Sequence, residues 1–194
     1  MLLTMNNISF KSSIKPVTRS EFYKITNTIG RKKFVDYPWT VKETIQARSA
    51  YTSNVFDCTV LGLTDGEKVT LLHLCPTKGE NKDFNKIINF IEEKVDLKNS
   101  FLQALLLGSQ EKSLSKSSAT LYNKLLALIT KYNIPTTQLA CAKEYTDVAY
   151  QSNTDEWIVT SYKISKGVED KNPPEEILRD VFKKVIISDT DEII

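Results

Sequence analysis

The chain has 194 residues, 41% of them hydrophobic and 26% charged, the composition of an ordinary globular protein of one domain. With 26 basic against 24 acidic residues, it has no surplus of positive charge, which argues against a nucleic-acid partner held through its phosphates. No apolar run approaches the roughly 18 residues of a membrane span. The opening residues turn polar too soon for a cleaved leader, and three cysteines without framework spacing read as reduced thiols suited to a cytoplasmic setting.

Along the chain, residues 8–10 and 14–17 read as short strands. Ser20 and Glu21 open a helix that carries Phe22, Ile25 and Ile29 on one face and stops at Gly30. Arg31, Lys32 and Lys33 are then its solvated end. Tyr37 and Trp39, with Pro38 between them, either line a substrate-facing loop or pin the N-terminal segment to the core. The second is favoured, because buried aromatic rings contribute large contact areas. Residues 40–50 are polar and read as a second short helix or a loop.

From residue 55 the pattern sharpens. Residues 55–63 are apolar and β-branched, hence a strand, and Asp65-Gly66 is a strong hairpin signal. Residues 68–74 return, and Pro76 closes the hairpin. Phe84, Ile87, Ile88, Ile91 and Val95 mark one face of a helix. Residues 101–107 form an apolar strand ended by Gly108-Ser109. Ser117 or Ser118 caps a helix to about Tyr132, with Leu121, Leu125, Leu128 and Ile129 inward. Residues 137–142, 147–151 and 156–164 are three more strands, Trp157 lying in the core or at a sheet edge. Pro173 and Pro174 begin a last helix. Mixed elements around an antiparallel hairpin indicate an α/β fold: a mixed or antiparallel sheet sandwich flanked by helices. Residues 1–50 are expected as an N-terminal extension packed on a core domain of residues 51–194, one globular unit in all.

The chain has one histidine, His73, fifteen residues after Cys58. The hairpin brings the two together. A thiol attacks only as the thiolate, and an imidazole is the usual means of forming it near neutral pH, so Cys58 and His73 are a candidate catalytic dyad. Each alone reads more simply as a buried interior residue. His73, Cys75, Cys58 and Cys141 also offer zinc-ligating types, but without a Cys-x-x-Cys pair. Gly108-Ser109 lacks the rest of a phosphate loop. No cofactor or metal is expected.

This order of elements resembles the CheD family of chemoreceptor glutamine deamidases, which shares its catalytic core with deamidating toxins of the cytotoxic necrotizing factor type. The shared pattern is a Cys at the start of a strand, a short hairpin, a His, a helix, an apolar strand ending in small residues, then a loop and helix. Here it reads Cys58-Thr59, Leu71-Leu-His73-Leu, the helix from Phe84, Leu105-Leu-Leu-Gly108-Ser109 and the helix from Leu121. The resemblance covers about residues 50–165. It implies Cys58 as nucleophile, His73 as general base, and Thr52, six residues before Cys58, as the residue orienting the imidazole. A backbone carbonyl is the alternative orienter. Where the family places small residues before the Cys, this chain has Val55-Phe56-Asp57, and an anionic approach raises a thiol pKa.

The implied reaction converts a Gln side chain of a protein substrate to Glu through a thioester, with backbone N–H groups of Cys58 and Thr59 holding the oxyanion. Transglutamination uses the same intermediate. The expected settings are the cytoplasm, or a host cytosol reached by a leaderless effector or toxin. The alternative is a non-catalytic protein-binding module on the same fold, to which Phe56-Asp57 points.

Overall fold

In the computed structural model the described residues are 12–35, 45–75, 83–108, 116–140 and 145–162, with short strands at 164–165, 168–169 and 186–187. In chain order the elements begin with β1 (Ser13–Pro16), α1 (Arg19–Ile29), β2 (Ile45–Ala47), β3 (Ser49–Val55), β4 (Thr59–Thr64), β5 (Val69–Leu74) and α2 (Phe84–Lys94). They continue with β6 (Gln103–Gly108), α3 (Lys116–Lys131), β7 (Thr136–Ala140), β8 (Tyr145–Gln151), β9 (Glu156–Tyr162), β10 (Ile164–Ser165), β11 (Val168–Glu169) and β12 (Ile186–Ile187). The last helix expected from Pro173, the strand at 8–10, Tyr37, Trp39 and Cys141 lie outside the described residues.

Two mixed sheets face one another. One has the order β1-β9-β8-β3 and the other β12-β7-β6-β4-β5-β2, while β10 and β11 form a separate ribbon. The β1–β9 and β6–β7 pairs are parallel, and the other pairs are antiparallel. All six residues of each of β4, β5 and β6 are buried. Their largely apolar sequences follow from being covered on both faces.

On one face, Leu61, Leu63, Leu72, Leu74 and Leu106 pack against Ile87 and Ile91 of α2 and Leu121, Leu125 and Ile129 of α3. On the other, Val60, Leu71, Leu105 and Leu107 meet Ala50, Val148, Tyr150, Trp157 and Val159 of the first sheet. Outside the first sheet, Phe22 of α1 packs on Ala149 and Ile158. The result is an α/β sandwich, two mixed sheets with helices on both outer faces. Among the described residues no helix is long and apolar enough to cross a membrane.

Among the boundaries that differ from the sequence expectation, three have a direct physical cause. α1 is capped earlier than Ser20 implies: Thr18 accepts from the Glu21 N–H and Glu21 reaches back to the Thr18 N–H, a capping box. Part of the polar 40–50 stretch is strand, because Ile45, Gln46 and Ala47 pair with β5 as an edge that needs no apolar outer face. The apolar run at 55–63 is broken. Val55 ends β3 in the first sheet, residues 56–58 bend, and β4 starts at Thr59 in the second. Strands from residues 13–47 pair within both sheets.

The crossing from β3 to β4 is shaped by a bulge between Thr52 and Val55. Asn54 takes a left-handed φ of 61°, which Asn tolerates better than most residues. Its N–H donates to Asp147 Oδ1 at 2.8 Å. Asp147 is wholly buried, with Arg19 Nε 4.0 Å from Oδ2, and the Arg19 guanidinium lies 3.6 Å over the Tyr162 ring.

Burial outweighs the Asn54 N–H and Arg19 and pushes the Asp147 carboxyl up to about 6. A folded-state value above the unfolded one means that the neutral carboxyl's contribution to stability is present below about pH 4 and lost as pH rises through about 6. Between pH 4 and pH 7 the thermal midpoint of the wild type should therefore fall by roughly 5 °C more than that of Asp147→Asn. Parallel curves for the two proteins in circular dichroism would contradict this assignment.

Candidate functional site

The hairpin that carries Cys58 and His73 closes over residues 65–68. Asp65 Oδ1 accepts the N–H groups of Glu67 and Lys68, and Gly66 supplies a φ of 92°. This turn fixes the register: Val60 lies opposite His73 and Thr59 opposite Leu74. Just beyond the end of the ladder, Cys58 lies beside Cys75. Side chains alternate across a strand, so Cys58, Val60, His73 and Cys75 share the face that looks toward the first sheet. Cys58, Val60 and Cys75 are members of the cluster between the sheets. Cys58 thus precedes by two residues the Val60 that pairs with His73, on the same side of the hairpin.

Thr52 comes from the opposing sheet. Its Oγ1 lies 2.7 Å from His73 Nδ1 and donates to the Val35 carbonyl at 2.6 Å. A hydroxyl has one proton, and a carbonyl can only accept. With that proton on Val35 O, Thr52 Oγ1 must accept from His73, which assigns the proton to Nδ1 and the lone pair to Nε2. The imidazole is therefore in the tautomer of a base at Nε2. Val35 is itself held by its N–H donating to Tyr51 O at 2.8 Å. Thr52, His73 and Val35 are all buried.

Cys58 is 1% exposed. Burial pushes its thiol strongly up, with further contributions from the neighbouring Cys75 and from Asp57, whose Oδ1 accepts the Cys58 thiol at 3.8 Å. Cys58 and Cys75 are thiols rather than a disulfide. The Cys58 thiol is thus protonated near neutral pH. Asp57 acts in the direction expected of an anionic neighbour, but burial is the larger cause. Phe56 turns away and stacks on Tyr145, centroids 4.9 Å apart, and Tyr145 stacks on Tyr162.

The bend before β4 is also held from the helix side. The Ser118 hydroxyl donates to the Asp57 carbonyl. α3 begins at Lys116, so Ser118 lies in its first turn rather than capping it. At the end of β6, a Cβ on Gly108 would meet Tyr122 Cδ2 at 3.0 Å, Thr59 Oγ1 at 3.1 Å and the Cys58 carbonyl at 3.4 Å. The small residue read as a strand terminator is the space in which α3 approaches the bend at Cys58.

The structure therefore brings Thr52 onto His73, while Cys58, whose thiol meets Asp57 and Cys75, lies just before the strand that pairs with His73 and Thr59 begins that strand. Thr59 has partners on both sides, Leu74 and Gly108, which directs its N–H along the sheet. Val35, Ser118 and Gly108 complete the surroundings. Val35 and Asp57 act through backbone carbonyls, which leave no mark in a sequence. Ser118 is visible there only as a helix-start residue. Among the described residues there is no group of three or more His, Cys, Asp or Glu placed to hold a metal ion.

Comparison with protein-family models gives no match to the chain, and comparison with curated proteins likewise gives none.

Proposed function

We propose that this protein is a cysteine-dependent protein-glutamine deamidase, with Cys58 as nucleophile, His73 as general base and Thr52 as the residue that orients it. The observation that carries the reading is the Val35–Thr52–His73 relay, which fixes the imidazole tautomer on the face it shares with Cys58.

The raised thiol defines the order of events. Cys58 keeps its proton until a Gln carboxamide is seated. His73 Nε2 then takes that proton as sulfur attacks the amide carbon. The C–N bond breaks, His73 returns the proton to the departing ammonia, and water cleaves the thioester to give Glu and the thiol. An amine in place of water gives transglutamination. The substrate is a protein carrying a reactive Gln. Two facing thiols persist unlinked in a reducing compartment, which favours the cytoplasm or a host cytosol reached by an effector.

The experiment is the Thr52→Val substitution beside Thr52→Ser, read as Gln-to-Glu conversion in the proteins of a cell extract. Loss of the hydroxyl should slow conversion roughly 10- to 100-fold, since base catalysis depends on the correct tautomer, while Thr52→Ser stays near wild type. Equal rates for Thr52→Val and wild type would remove the relay from the mechanism.

A second reading, a protein-binding module that keeps the fold without catalysis, is favoured by one observation: the buried and protonated state of Cys58. It requires that no conversion depend on Cys58.

A further inference from the structure

We propose that Ser118 is a positioning residue that aims the Cys58 amide N–H as the oxyanion donor of the site. The inference rests on the deamidase reading and assigns a part that the Cys-His-Thr set leaves open, the group that stabilises the tetrahedral intermediate.

Ser118 is fully buried, and its hydroxyl donates to the Asp57 carbonyl across 61 residues of sequence. α3 covers the face of the second sheet that carries Leu61 and Leu106. Cys58 and Val60 lie in the cluster on the other face. The carbonyl of the 57–58 peptide is therefore held toward the helix side, outside any ladder, because residues 56–58 are a bend.

The described residues contain no cis peptide bond, and in a trans peptide C=O and N–H point in opposite directions. Holding the Asp57 carbonyl toward α3 directs the Cys58 N–H toward the face of the thiol and the imidazole. That is where the oxygen of an amide under attack by Cys58 must develop charge. Thr59, the other backbone candidate, has its N–H directed along the ladder by partners on both sides. Gly108 leaves room for the arrangement, since a Cβ there would press on the Cys58 carbonyl, Thr59 and Tyr122 together.

An oxyanion donor matters only for attack on a carbonyl. Alkylation by iodoacetamide displaces iodide at a saturated carbon and forms no oxyanion, yet it uses the same sulfur. Acylation by p-nitrophenyl acetate forms a sulfur–carbonyl bond through a tetrahedral oxyanion and expels p-nitrophenolate. The full-length chain is treated with each reagent at one pH, and modification of Cys58 is followed by mass.

Ser118→Ala should slow acylation roughly 10- to 100-fold, somewhat less than outright removal of an oxyanion donor, and leave alkylation of Cys58 unchanged. Ser118→Thr, which keeps the donor hydroxyl, should restore acylation. Acylation as fast in Ser118→Ala as in wild type overturns the proposal. So does a parallel fall in both reactions, which would show a damaged site rather than a misdirected amide. If the wild type releases p-nitrophenolate no faster than Cys58→Ala, the deamidase reading itself fails, and this inference with it.

Discussion

Gly62→Ala should be the most destabilising Gly→Ala change among the described glycines. A Cβ at residue 62 would lie 2.1 Å from Trp157 Cη2 and 2.9 Å from two further atoms of the indole. Gly62 lies on the face of β4 that looks toward the first sheet, and Trp157 from β9 fills the space left by its missing side chain. The indole has no route of retreat. It is fully buried, and its centroid lies 4.9 Å from that of Tyr150. Overpacking of this kind costs about 3 kcal/mol or more, a large share of the roughly 5–15 kcal/mol that holds a domain folded. In chemical denaturation the midpoint should fall with the slope unchanged. Gly62→Ala combined with Trp157→Leu should recover part of the loss, because the two changes act on one contact. A Gly62→Ala protein as stable as wild type would mean that the sheets are not spaced as described.

His73→Ala should lower conversion of Gln to Glu about a thousandfold, within the range expected for loss of a positioned general base. The effect should exceed that of Thr52→Val. Removing the Thr52 hydroxyl leaves an imidazole that samples both tautomers, whereas removing His73 takes away the imidazole altogether. The raised thiol makes this dependence steeper than in a cysteine enzyme whose thiolate preexists. Thermal stability of His73→Ala must be measured alongside, because truncation of a buried side chain opens a cavity. A folded His73→Ala protein with undiminished conversion would exclude the dyad.

Much of the frame is legible in the sequence because its causes are local. Asp65-Gly66 sets the hairpin, and the hairpin alone brings His73 to the end of the strand beside Cys58. The apolar runs at 60–63, 71–72 and 104–107 belong to strands covered on both faces, and the faces of α2 and α3 follow their apolar spacing. What escapes has non-local causes. Within the run from Val55 to Leu63 only Asp57 marks the place, at 56–58, where the chain passes from one sheet to the other. That passage is held by Asp147 on the Asn54 N–H and Ser118 on the Asp57 carbonyl, partners about 60 to 90 residues away. The relay through Thr52 comes from family resemblance and not from spacing. Its far end, the Val35 carbonyl, has no residue-type signature. Gly62 gives no sign in sequence of the indole that occupies its place.

The central claim is that Cys58 and His73 edit glutamine. The most direct measurement is mass spectrometry of peptides from a cell extract incubated with the wild-type protein, with Cys58→Ala or with His73→Ala. The expected result is one or a few Gln sites that gain about one dalton, the difference between amide and acid, with wild type and with neither substituted protein. Sites that convert equally with Cys58→Ala, or an extract in which the wild type converts no more Gln than Cys58→Ala and His73→Ala do, would contradict it.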